Sequence, residues 1–197
     1  MAFSDNFNKE IEKKVLPDSL KNLNLSSYFN QKIEKEVFKD TKSLVNLTFC
    51  YRFNQEIEKE VFKGPKSLVN LTFGYLFNQK IKKEVLPMSL VNLTFGYHFN
   101  KEIEKEILPN SLEKLIIFSY YLVKNIKNLK LYDIKSLEIY FIHNSNEKIK
   151  NISNKIEELK LKNYKYKIDN LTNNVKKLEL INCINGKNIP NTIKYFL

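Results

Sequence analysis

These 197 residues contain four Gly, five Pro, two Cys, no Trp and a single Arg, Arg52. So few glycines leave little material for a phosphate-cradling loop or a collagen-like run. Cys50 and Cys183 stand too far apart to form a metal or redox motif. His98 and His143 have no Cys, His or Asp partner at a ligand spacing, and no Gly-x-Ser-x-Gly, His-Glu-x-x-His or P-loop pattern occurs. No catalytic residue, metal or cofactor is therefore expected, and the chain does not read as an enzyme. The longest apolar runs, Leu115 to Phe118 and Ile139 to Ile142, fall far short of the roughly 20 residues of a membrane span. The first residues show no basic n-region followed by an apolar h-region, so an intracellular, cytoplasmic setting is expected, with no membrane partner.

What is present is apolar and basic. Hydrophobic residues make up 43% of the chain, including 14 Phe and 11 Tyr, which excludes disorder as the main state. The net charge of +11 is uneven. Residues 1–119 hold 18 basic and 15 acidic side chains, whereas residues 120–197 hold 15 and 7. The second part therefore carries +8 by subtraction. Lys, Asn, Ile, Tyr and Phe all have AT-rich codons, so genomic bias accounts for part of that excess.

The dominant signal is a repeat. Phe-Asn pairs recur at Phe7, Phe29, Phe53, Phe77 and Phe99, spaced 22, 24, 24 and 22 residues apart. Each is followed by Ile (Ile11, Ile33, Ile57, Ile81, Ile103) and then by Val15, Val37, Val61, Val85 or Ile107. Leu-Pro-x-Ser-Leu comes next, or a version two residues longer at Phe38 to Leu44 and Phe62 to Leu68. Every unit then holds Leu-x-x-Leu-x-apolar, as in Leu44/Leu47/Phe49. Only that last element persists at Ile134/Leu137/Ile139, Ile156/Leu159/Leu161, Val175/Leu178/Leu180 and, frayed, Ile193/Phe196.

Leu-x-Phe alternation puts two apolar side chains on one face of a short strand. A unit of 22 residues cannot bury its own apolar edge, so stacked units must share a core, with one parallel strand per coil. Pro after Leu prevents helix continuation. The Phe-Asn pair combines a buried ring with an amide able to satisfy turn backbone groups in an Asn ladder. The expectation is a single solenoid over residues 1–197, with five regular coils in 1–119 and about four degenerate ones in 120–197.

The segment Leu86-Pro87-Met88-Ser89-Leu90-Val91-Asn92-Leu93-Thr94-Phe95-Gly96-Tyr97-His98-Phe99-Asn100 resembles the FNIP repeat, a relative of the leucine-rich repeat. Five such copies cover residues 7 to about 119. The resemblance implies a leucine-rich-repeat-like solenoid with little α-helix. Short strands of its 18–24-residue coils would line a concave face, with irregular or 3₁₀ turns on the convex face. It also implies an interaction scaffold. Some relatives carry an F-box ahead of the repeats; here the first Phe-Asn stands at residue 7, and no F-box is expected.

On such a fold the outward strand residues form ladders. The candidate protein-binding residues are Asn46, Asn70 and Asn92; Thr48, Thr72 and Thr94; and, just past the strand, Tyr51, Tyr75 and Tyr97, in a row running from Ser27 to Ser119. Tyr is enriched in binding surfaces because it offers apolar area and a hydroxyl at low entropic cost. Mutual packing within the repeat explains the same residues without a ligand. The Ile-Glu-Lys-Glu-Val segments recur at one phase in several coils and read as a solvated convex face, not as acid-base pairs. Cys50 stands where later coils have Gly74 and Gly96, so it reads as a small residue in a tight place. The Asn-x-Ser/Thr sequons at Asn24, Asn46, Asn70 and Asn92 are by-products of the repeat.

Two alternatives stand beside a non-catalytic protein-interaction scaffold. Lys160, Lys162, Tyr164, Lys165, Tyr166 and Lys167 interleave cations with aromatics, a pattern that can hold phosphates and stack bases of RNA, or meet another acidic surface. A structural or vestigial repeat protein without a specific partner is the other. The sequence does not name the partner.

Overall fold

The computed structural model describes residues 3–119, 133–141, 149, 152–165, 171, 173–183 and 194–196. Each coil contributes one strand: β1 Asn22–Asn24, β2 Asn46–Thr48, β3 Asn70–Thr72, β4 Asn92–Phe95, β5 Lys114–Ser119, β6 Ser136–Phe141, β7 Glu158–Lys162, β8 Lys177–Ile181 and β9 Lys194–Phe196. They form one nine-stranded sheet in chain order. All neighbours run parallel. Among the described residues the only helical segments are 3₁₀ turns at Val61–Lys63 and Lys105–Ile107. The expected solenoid and its one strand per coil are what the chain adopts.

Register follows the repeat. Leu23 pairs with Leu47, Leu47 with Leu71, Leu71 with Leu93, and so on to Leu178. These leucines are at most 1% exposed. A one-residue slip would turn every one of them to solvent, so burial fixes the register. The last pair departs from the spacing read in the sequence. Leu178 pairs with Tyr195, and Phe196 falls opposite Glu179. The marker at Ile193/Phe196 is therefore one residue out of phase with the ladder.

Two columns of Phe fill the core of the regular coils. Phe7, Phe29, Phe53, Phe77 and Phe99 stack at 6.0 to 6.1 Å between centroids. Phe49, Phe73 and Phe95 stack at 5.5 Å beside them. Phe3 closes the first column by stacking on Phe7 at 4.2 Å. The amides of the Phe-Asn pairs form the expected ladder. Asn8, Asn30, Asn54 and Asn78 each accept, through Oδ1, the backbone N–H of the next coil's Asn at 2.8 Å. Gln31, Gln55 and Gln79 donate to the same Asn residues.

Turns into the strands are closed by the Leu N–H donating to the Pro carbonyl three residues back, at Pro17, Pro65, Pro87 and Pro109. Thr41 takes that place in the second coil. The two longer coils are adjacent, and their extra residues let Phe38 and Phe62 stack as a third pair at 6.0 Å. Val15 is 49% exposed in the first coil, whereas Val37, Val61 and Val85 are buried.

Candidate functional site

The strand face opposite the core carries the candidate residues. In β2 to β4 the inward side chains are Leu47, Leu71, Leu93 and Phe95, so Asn46, Thr48, Asn70, Thr72, Asn92 and Thr94 face outward and are half-buried. The outward Asn side chains bond to one another, Asn46 to Asn22, Asn70 to Asn46 and Asn92 to Asn70, each Nδ2 donating to the preceding Oδ1. That chain occupies part of each amide and locks its orientation.

After each of the first four strands the chain turns, at residues 27–28, 51–52, 75–76 and 97–98. A Cβ on Gly74 would lie 1.7 Å from the Cys50 carbonyl oxygen, and one on Gly96 would lie 2.1 Å from that of Gly74. A Cβ fits at neither glycine, which accounts for Gly in these two coils; Cys50 holds the same repeat position in the coil before them. Burial, with a smaller effect of Asp5, pushes the Cys50 thiol up. Beyond the bend the ladder resumes: Arg52 N–H donates to Ser27, Leu76 N–H to Tyr51 and His98 N–H to Tyr75. These bonds set the tyrosines at the spacing of the coils.

Tyr51 and Tyr75 consequently stack at 4.8 Å, and Tyr75 and Tyr97 lie 4.9 Å apart. The column continues beyond them. Tyr97 meets Phe118 at 4.9 Å, Phe118 meets Tyr140 at 4.6 Å, and Lys160 Nζ lies 5.9 Å above the Tyr140 ring. Five aromatic rings from five successive coils thus form one row ending on a cation. The sequence spacing pointed to Ser119 as the next member after Tyr97. β5 is six residues long, so its alternation carries on and turns Phe118 outward. Beside the row, His98 is tilted against Tyr75 at 5.0 Å, and the Arg52 guanidinium lies 4.4 Å over the ring of Tyr28.

The outward face changes character at β5. Lys114 pairs with Glu138, and Lys160 with Glu179 at 2.8 Å. Burial pushes the Glu138 carboxyl up, but Lys114, Tyr140 and Lys160 together outweigh it and hold it below the usual carboxylate range. The Tyr140 hydroxyl donates to Glu138 at 2.8 Å and is itself pushed up, by burial first and then by that carboxylate. Glu179 raises the Lys160 ammonium.

This arrangement bears on the basic cluster read from the sequence. Lys160 is committed to Glu179. Tyr164 is 1% exposed, packs on Phe141 and accepts the Ile149 N–H through its hydroxyl at 2.8 Å. It is a core residue with no ring face to offer a base, because the alternating strand has ended by then and the chain turns inward. Lys162 and Lys165 are half-buried, and Tyr166 and Lys167 lie outside the described residues.

On the opposite side of the coils the charged segments pair across neighbours, Lys32 with Glu58 at 2.9 Å, Lys80 with Glu104 at 3.0 Å, Lys59 with Glu84 and Lys82 with Glu56. These carboxylates serve ion pairs in successive coils. No group of three or more metal-ligating side chains occurs among the described residues. No helix among them is long and apolar enough to cross a membrane. A groove of about 300 Å³ lies between the turns of the third and fourth coils, lined by Phe62, Pro65, Leu86, Pro87 and the exposed Met88.

The family model described as the FNIP repeat matches residues 7–38, 29–76 and 77–120. No curated protein matches the sequence. Among solved structures, that of CroV588, described as a novel circular LRR protein, is similar with a TM-score of 0.59 and 27% identity. The match covers 98% of this chain and 35% of that one, so the chain spans about a third of the length of CroV588.

Proposed function

Since the chain belongs to the FNIP-repeat family, we propose that it is a non-catalytic scaffold that binds another protein on the outward, concave face of its sheet. The aromatic row from Tyr51 to Tyr140 carries this reading. A continuous band of Tyr and Phe on a rigid sheet offers the large, pre-ordered contact area that recognition surfaces use. Tyr51 is 50% exposed, which is far more than a ring serving the core alone requires. The same reading places the protein inside the cell, with Cys50 and Cys183 as free thiols.

Proximity labelling in the native cell, followed by capture of the labelled partner on the purified protein, tests it. Replacing Tyr51, Tyr75 and Tyr97 by Ala should abolish capture while leaving the circular dichroism spectrum intact. Unchanged capture by a folded triple variant sinks the assignment. Binding of RNA through the basic second part is the weaker reading, because Lys160 is neutralised by Glu179 and Tyr164 is buried.

A further inference from the structure

Resting on that reading, the geometry points to an acidic segment as what the partner presents, with Arg52 as its anchor. The outward strands and following bends of the first four coils, residues 21–29, 45–53, 69–77 and 91–99, contain no Asp or Glu. Their only permanent charges are Lys21 and Arg52. On the opposite side several cations are neutralised across coils, as with Lys32, Lys59, Lys80 and Lys82. Arg52 is exposed and has no carboxylate partner among the described residues; its guanidinium carbon lies 4.4 Å over the centre of the Tyr28 ring instead.

That placement has a chemical consequence. A guanidinium seated over a ring still has N–H groups to offer, and these grip a carboxylate with two parallel hydrogen bonds. The position is also the chain's only Arg among 33 basic residues, and Lys cannot provide this fork. Tyr51 directly precedes Arg52 along the chain, so an apolar side chain next to the gripped carboxylate would meet the start of the aromatic row.

Charge argues against one other occupant, and the covered ring faces against another. A second copy of a chain carrying +11 would be repelled, whereas an acidic segment would be steered in. RNA recognition on aromatics uses exposed ring faces. Here Tyr75 is sandwiched between Tyr51 and Tyr97, and one face of Tyr28 is covered by Arg52. With these faces taken by neighbours, the row suits a polypeptide better than a base.

A random dodecapeptide library displayed on phage and panned over the full-length protein tests the proposal. Selected peptides should carry Asp or Glu beside an apolar residue and be net acidic. Fluorescence anisotropy with the strongest synthetic peptide should then show at least tenfold weaker binding to R52Q. R52K should weaken it several-fold, because it keeps the charge and loses the fork. K80Q, on the opposite side, should match the unaltered protein.

Acidic peptides that bind R52Q as well as the parent chain overturn the anchor. Neutral or basic peptides that are lost on Y51A/Y75A/Y97A overturn the acidic class while the interaction face itself stands. A U30 oligoribonucleotide that binds the parent chain but not R52Q, with no peptide selected, replaces the protein partner by RNA. Selection of no peptide together with no RNA binding overturns both this inference and the reading beneath it.

Discussion

Single residues reveal where this chain tolerates strain in order to close its coils. Lys14, Glu60 and Glu84 hold φ at 62°, 83° and 66°, each just before the Val of its coil. A left-handed conformation costs a side-chain-bearing residue about 1–2 kcal/mol, and Gly avoids it. Lys14 is exposed. We therefore expect Lys14→Gly to raise stability by about 1 kcal/mol in urea unfolding. Asn163 and Asn182 adopt the same region at 59° and 52°, where Asn is tolerated. Their side chains form a new link between coils after the Phe-Asn element has gone: Asn163 Nδ2 donates to the Phe141 carbonyl at 2.8 Å, and Asn182 Nδ2 donates to Asn163 Oδ1 at 3.3 Å. Tyr164→Phe should cost about 1 kcal/mol, since it leaves the Ile149 N–H without the hydroxyl that accepts it. An unchanged melting temperature in that variant would show that water takes over the bond.

At the scale of the element, the Asn and Phe ladders are what join one coil to the next. Asn54 Oδ1 accepts from both the Asn78 N–H and Gln79 Nε2. Asn54→Ala should therefore destabilise by about 1–3 kcal/mol, because it strands a partly buried N–H. Gly74→Ala should be worse and leave little soluble protein, as its Cβ would strike the Cys50 carbonyl at 1.7 Å. Expression and chemical denaturation of the two variants check both expectations. The ladders were legible in the sequence because repetition made them so. Leu-x-Phe at constant phase set the strands, and Phe-Asn at 22 or 24 residues announced a ring over a ring and an amide over an amide. What escaped was whatever depends on strand length. Spacing alone aligned Tyr97 with Ser119, but the longer β5 brings Phe118 to the ring. Nor did spacing distinguish Tyr164 in the core from a surface aromatic, since the repeat grammar had thinned by that point. The absence of carboxylates from four outward segments was open to inspection. It gained meaning only when Arg52 was found over Tyr28 and without an ion pair.

For the whole molecule, stability follows from neighbours alone. Each coil touches the ones before and after it, so amide exchange should be slowest in the middle strands and faster towards either end. Acid acts on the paired carboxylates: lysine partners hold Glu58, Glu60, Glu84 and Glu157 below the usual range at exposed sites, and Glu138 is the partly buried member of the set. The Glu138 carboxyl sits below its usual range in the folded chain. Its contribution is therefore complete above the ordinary carboxylate range and is lost as pH falls through the folded value. Glu138→Gln should flatten the acid limb of a pH-stability curve, with a cost of about 1 kcal/mol at neutral pH. The aromatic row has a consequence of its own. Its rungs recur every 4.6 to 4.9 Å, while an extended polypeptide laid across the strands advances about 3.4 Å per residue. The two scales slide past each other like a vernier, coming near coincidence only about once in two to three rungs. A partner crossing this sheet can match the row in short stretches, so selectivity would reside in where along the sheet the coincidence falls.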